Sequence, residues 1–349
     1  MSKVLGILNF ESSEATVGGL SDFRTISAVS FLGRYRIMDF MMSNFTNSKI
    51  DDIQIYIKNF PRSIIEHVQR TNYNINSKRG RIHILHGEKP FLSDFYNNDV
   101  ASFAANMQYI EDSSASYVIV APSHFVYIQD FSEMLEYHIA NNNDITILYQ
   151  NCSNAKENFI MCDSLALDSD KYVTGFATNM GKYKSRDISL ECYCLSKSLF
   201  IKLVKRAQET SSLFWFKNVI ADCIDELKVQ AYQHRGYASC INSLKAYYDT
   251  SMQMHEKKEL HEMISDEWPI YTMTNDSCPT LYRNDGAATN SIVGNGCVIK
   301  DSVILPGAFI NKDVHIENAI VDRYAIVTHV KEIKGTKENP AYVKRRDRI

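Results

Sequence analysis

A chain of 349 residues, 45% hydrophobic and 23% charged, has the composition of a globular protein and is too long for one typical core, so one large domain plus a smaller one is expected. The formal net charge of -3 gives no general attraction to nucleic acid or to an anionic membrane. No long uncharged apolar run occurs, and residues 1–10 are too short and polar-bounded for a signal peptide, which makes the cytoplasm the expected location.

In chain order, apolar β-rich runs alternate with amphipathic ones. Strands are predicted at residues 4–10, 53–57, 82–85, 117–120 and 145–149, with helical patterns at 64–69, 100–110 and 131–140. This alternation belongs to βαβ units, hence a largely parallel sheet with helices on both faces, whose ligands bind beyond the carboxyl ends of the strands. Chemistry is therefore expected after the strands at 4–10 and 117–120. A helix over 34–50 follows the turn at Leu32-Gly33. It places Ile37, Phe40, Met41 and Asn44 on one face, with Asp39, Ser43 and Asn47 beside it, turned towards a cleft.

A second series follows: a strand at 190–195, helices at 197–208 and 213–227, a strand at 229–233 and a helix from 244 to about 257. Asp266, Pro269, Asp276, Pro279 and Asp285 then break the periodicity, which bounds a first domain at 1–258 and a linker at 259–285. Beyond it Ile292, Val298, Ile304, Ile310 and Ile316 recur every six residues, and Ile320 and Ile326 repeat the spacing after a shift of phase. One small aliphatic per side is what the narrow prism of a left-handed parallel β-helix requires, here over 286–330; an antiparallel sheet is the alternative, since a period of two can hide inside six. Residues 331–349 read as a tail in which Lys344, Arg345, Arg346 and Arg348 are solvated. The eight cysteines lack paired zinc-type spacing and read as reduced packing residues.

Residues 34–50, Arg-Tyr-Arg-Ile-Met-Asp-Phe-Met-Met-Ser-Asn-Phe-Thr-Asn-Ser-Lys-Ile, resemble the Y-R-I-I-D-F-x-x-S-N-x-x-N-S-G-I segment of bacterial glucose-1-phosphate adenylyltransferases (ADP-glucose pyrophosphorylases), and the likeness extends over essentially the whole chain. It implies a Rossmann-like (GT-A-like) nucleotidyltransferase domain followed by the β-helix. Such an enzyme holds a nucleoside triphosphate with glycine backbone N–H groups and basic side chains, and acidic residues hold Mg²⁺.

Position by position, the resemblance implies that these groups are replaced. The family's L-A-G-G-x-G-T-R-L loop corresponds to Leu8-Asn9-Phe10-Glu11-Ser12-Ser13-Glu14, which puts Glu11 and Glu14 where triphosphate would sit, and Ile26 stands at the lysine of A-K-P-A-V-P. Gly18-Gly19 is a weak alternative loop. The magnesium aspartate of V-L-x-L-S-G-D-H-I-Y falls on His124, and that of G-Y-W-x-D-V-G-T on Cys240. The sugar-phosphate lysine of F-x-E-K-P falls on Asn179. No cofactor is therefore expected, although His124 and Cys240 could together meet a soft ion such as zinc.

Arg24 and Arg36 fall where the family binds phosphorylated effectors, and with Asp39, Ser43 and Asn44 they form the ligand candidates. The resemblance implies a non-catalytic, GlgD-type regulatory subunit assembled with a catalytic glucose-1-phosphate adenylyltransferase as a heterotetramer, with a phosphorylated sugar as the candidate effector. A weakly active sugar-phosphate nucleotidyltransferase and a free-standing sugar-nucleotide sensor are the alternatives.

Overall fold

A strand covered on both faces needs apolar residues at nearly every position. Val4–Asn9, Asp52–Ile57 and Tyr117–Pro122 each bury five of their six residues. The computed structural model describes residues 3–9, 17–57, 59–75, 80–86, 98–210, 215–254, 263–274, 286–287 and 291–349. It divides into one unit of residues 1–14, 41–61 and 73–240 and a second of 15–40, 62–72 and 241–349. Residues 15–40 and 62–72 thus group with the C-terminal coils rather than with the sheet, and most of the predicted linker lies outside the described residues.

In the first unit the strand order is Arg81–His86, Asp52–Ile57, Val4–Asn9, Tyr117–Pro122 and Arg186–Ser196, continued by Ile145–Cys152 and Val229–Gln233. The first four strands are mutually parallel, Arg186–Ser196 is antiparallel to its neighbours, and Ile145–Cys152 pairs in parallel with Val229–Gln233. This is the doubly covered nucleotidyltransferase sheet expected from the sequence. Two strands of this sheet were not predicted, Asp163–Leu167 and Val173–Thr178, an antiparallel pair beside Arg186–Ser196; nor was the separate two-strand ladder of Phe125–Tyr127 and Ala238–Cys240. Helix starts follow local chemistry: Asn98, Asp130 and Ser243 accept backbone N–H bonds from Ala101, Ser132 and Ala246. The core is aromatic, with Phe103 packed against Tyr56, Phe200 and Phe216 at centroid distances of 4.9, 5.3 and 5.9 Å.

In the second unit, short strands form three parallel sheets visited in rotation, as in a left-handed parallel β-helix. The repeat is not a uniform six. Val303 pairs with Ile320 and Phe309 with Ile326, so one coil takes seventeen residues and one side is a residue short. The interior series is therefore Ile304, Ile310, Ile316, Val321, Val327 and Ile333, with five residues at one corner. That corner is the phase shift seen in the sequence. Val321 and Val327 continue the interior in place of Ile320 and Ile326, while Ile292 and Val298 point outward and are more than half exposed.

The coils also continue past residue 330. Glu332–Lys334 pairs with His315–Glu317, Ala341–Val343 pairs with Ala319–Val321, and Ile326 bridges to Arg348, so residues 331–349 belong to the coil rather than to a free tail. Tyr248, from the Leu244–Gln253 helix, donates its hydroxyl to the Asp301 carbonyl oxygen at 2.8 Å and lies 3.1 Å from Asn318 Oδ1. Tyr248→Phe is expected to cost about 1 kcal/mol in urea unfolding, the net worth of one hydrogen bond. An unchanged midpoint would show that this contact does not hold the coils.

The seven described cysteines are all free. Cys192 and Cys194, two apart on one strand, share a face in the core, and burial pushes the Cys192 thiol up to about 12. Among the described residues no helix is long and apolar enough to cross a membrane.

Candidate functional site

The strand ends where chemistry was expected meet in the first unit. Asn9 closes the first strand and donates its amide to Asp99 Oδ2 at 2.9 Å. Asp99 Oδ1 accepts from the backbone N–H groups of Val100 and Phe216 at 2.8 and 2.9 Å. Burial pushes the Asp99 carboxyl up to about 6 in spite of these three donors. The sequence reading passed over this residue; its signal was a lone aspartate at the start of an apolar helix.

His124 follows the Tyr117–Pro122 strand and is buried. Burial first, and then the positive charge of Lys217, push its imidazole down to about 3, so it is neutral at pH 7. Cys240 ends a two-strand ladder in which it pairs with Phe125. Burial raises its thiol well above the usual range, and a hydrogen bond with the Cys162 thiol adds to this. His124 and Cys240 thus lie in one neighbourhood, Cys240 opposite the residue after His124 and both within reach of the Lys217 charge.

A group not foreseen stands among them. Lys217 Nζ lies 2.8 Å from Asp163 Oδ2 and 3.8 Å from Glu191 Oε1. Burial works against its charge, but Glu191 and Asp163 raise its pKa above the ordinary lysine value. Glu191 reaches this position through a bulge between Ser189 and Cys192 and a left-handed backbone (φ 51°). A carboxylate inside the apolar run Leu190-Glu191-Cys192 was the available signal, because a buried acid needs a partner.

This arrangement does not fit a magnesium ion. Mg²⁺ requires near-octahedral oxygen donors, whereas His124 and Cys240 offer an imidazole and a protonated thiol, and the nearby carboxylates already hold a tethered ammonium. Among the described residues there is no group of three or more His, Cys, Asp or Glu that could hold a metal ion. Glu11 and Glu14 lie outside the described residues.

Asn179, at the sugar-phosphate lysine position, is buried and turned into its own loop. Its amide nitrogen lies 2.9, 3.1 and 3.0 Å from the carbonyl oxygens of Ala155, Asn158 and Phe159, and its Oδ1 accepts from Gly181 N–H at 3.1 Å. Asn44 donates to the Tyr127 carbonyl oxygen and accepts from Gln129 N–H, and Ser43 is fully buried.

In the second unit Ile26 lies in a short 3-10 turn, Ile26–Ala28, and offers a phosphate nothing. Gly19 serves packing, since a Cβ there would lie 2.3 Å from the Tyr342 ring, whereas Gly18 supplies a left-handed backbone (φ 44°) at the start of a 3-10 turn with open space around it. Asp39 is fully buried, 2.5 Å from His67 Nε2, and it accepts from Arg36 N–H; Arg36 Nη1 donates to the Ser63 carbonyl oxygen. Asp39, Ser43 and Asn44 are therefore internal and do not face an open cleft, while Asn47 is half-buried.

Arg24 is buried as well. Its Nη2 donates to Asp322 Oδ1 at 2.5 Å and its Nε to the Leu20 carbonyl oxygen, while Nη1 is buried without a hydrogen-bond partner. Asp322 also accepts from the Tyr342 hydroxyl at 2.7 Å and from Arg323 N–H at 2.6 Å. Burial, and then the charges of Arg24, Arg346 and Arg323, lower the pKa of Arg345.

A family model described as "Nucleotidyl transferase" matches residues 19–257. A glucose-1-phosphate adenylyltransferase of Lachnospira eligens is 27% identical, over 77% of this chain and 64% of its own length. One from Thermodesulfovibrio yellowstonii is 25% identical over 92% of this chain and 84% of its own length. The "Glycogen biosynthesis protein GlgD" of Bacillus subtilis is 24% identical over 86% of this chain and 78% of its own length.

Proposed function

Since the chain belongs to the nucleotidyl transferase family, we propose that it is a catalytically impaired, GlgD-type member that regulates a catalytic glucose-1-phosphate adenylyltransferase, with which it assembles in the cytoplasm as a heterotetramer. The partner's reaction would be ATP and glucose 1-phosphate to ADP-glucose and diphosphate, in glycogen biosynthesis. One observation carries the reading: among the described residues, His124 and Cys240 are neutral and stand beside a lysine already paired with two carboxylates, a set that offers departing diphosphate no free charge and magnesium no oxygen cage.

Regulation then acts by population shift. Binding that favours the partner's active conformation by about 1–3 kcal/mol changes its activity or effector affinity five- to 150-fold. The guanidinium groups of Arg24, Arg323, Arg345 and Arg346, with one nitrogen of Arg24 buried and unpartnered, support a phosphorylated sugar as effector.

The test is ADP-glucose formation by this chain alone, by the catalytic subunit alone and by the co-expressed pair. Alone, the chain is expected to be at least about a hundredfold slower than the catalytic subunit, the usual cost of one lost charge-stabilising group. A rate within tenfold of the catalytic subunit would overturn the reading.

A further inference from the structure

Two segments of the first unit, 154–162 and 179–187, run side by side. Met161 N–H donates to the Asn179 carbonyl oxygen and Asn179 N–H to that of Cys162, both at 2.8 Å, and Ala155 N–H donates to the Lys184 carbonyl oxygen. The ladder presents apolar side chains to solvent: Met161, Met180 and Tyr183 are 61, 70 and 49% exposed. Single exposed apolar residues need no explanation, but three on one pair of laddered segments form a patch.

The patch is held in place from beneath. Buried Asn179 ties the carbonyl groups of Ala155, Asn158 and Phe159 together, and Phe159 and Met161 adopt left-handed backbone at φ 54° and 65°. Such strain persists where the surroundings over-determine it, and it clusters at binding sites. A surface already ordered loses little entropy when it is covered.

The rim is basic. Lys156, Lys182 and Lys184 are exposed, and Arg186 stacks on the Tyr183 ring at 4.0 Å. The same segments carry two acids, Glu157 and Asp187, against the four basic groups, so the rim stays net positive. An apolar centre of Met and Tyr within a cationic rim, on a chain of net charge -3, calls for an occupant of opposite charge.

We infer that the Met161–Met180–Tyr183 patch is the docking surface for a partner subunit that offers an apolar pocket bordered by carboxylates. This rests on the regulatory reading above. The probe is the catalytic glucose-1-phosphate adenylyltransferase of the same organism, mixed with the full chain and followed by analytical sedimentation and by ADP-glucose formation.

Met161→Glu/Met180→Glu is expected to weaken assembly at least thirtyfold, as loss of a hot spot does, and to abolish the effect on the partner's rate. Both side chains are exposed, so the melting temperature should hold. Lys182→Glu/Lys184→Glu, which leaves the apolar centre intact, should weaken assembly more at low salt than at high salt. Assembly of either variant with wild-type affinity overturns the docking surface while leaving the regulatory reading intact. No assembly by the wild-type chain overturns both. Patch variants that abolish only self-association would make a second copy the occupant and overturn the stated partner.

Discussion

Asp322→Ala is expected to destabilise the second unit by about 3–5 kcal/mol, the cost of leaving a buried charge without its partner. The carboxylate serves Arg24, Tyr342 and the Arg323 backbone N–H together. Its removal would leave the Arg24 guanidinium, 4% exposed and already short of one acceptor, among the positive charges of Arg323 and Arg345. Arg24→Met should cost less, because Asp322 would keep two donors. Urea unfolding at unchanged m-value measures both, and a loss below about 1 kcal/mol for Asp322→Ala would show that the ion pair is incidental.

Acid should unfold the first unit early. Burial, as the leading cause, lowers His124 to about 3 and both His138 and His234 to about 4. A histidine whose folded pKa lies below its unfolded value of about 6.5 contributes stability above pH 6.5 that is lost progressively as pH falls towards the folded pKa. Asp99 has the opposite sign: raised from 3.8 to about 6, it favours the fold below pH 4 and loses that contribution as pH rises through 6. Near pH 5 the unfolded chain therefore binds roughly two more protons at these four sites, and stability should fall by about 3 kcal/mol per pH unit. Thermal melts from pH 7 to 5 test this, and His124→Asn should flatten the slope by about one proton. A flat profile would place these histidines in contact with water.

Much of the fold was legible because its strands are apolar runs too dense for any exposed element, and because a short aliphatic period survives in the coils. Most of the misses share one cause, contacts made across long sequence separations. Nothing near Lys217 announces Asp163 or Glu191, and nothing near Asp39 announces His67. The 34–50 segment looked half-polar and cleft-facing because its buried hydrogen-bond partners come from residues such as Tyr127 and Gln129. The coil register slipped because Ile320 and Val321 are adjacent aliphatics, and period alone does not say which turns inward. At the candidate site, His124 and Cys240 could be found by offset from motifs, whereas the lysine among them depended on a helix arriving from elsewhere in the chain.

One corner of the coils tolerates length. Ala319 pairs with Ala341, twenty-two residues on, where other rungs need seventeen, so five residues enter without breaking a ladder. The excess closes on itself: Thr336 N–H donates to the Asn339 carbonyl oxygen, and Asn339 N–H returns to Thr336 Oγ1. Its base is Gly335, where a Cβ would fall 2.2 Å from Ala341 N, so no larger residue can take that position. Extra chain added between Thr336 and Asn339 would project outward as a blister and leave the prism untouched, which makes this corner the natural place to graft an epitope or a fluorophore.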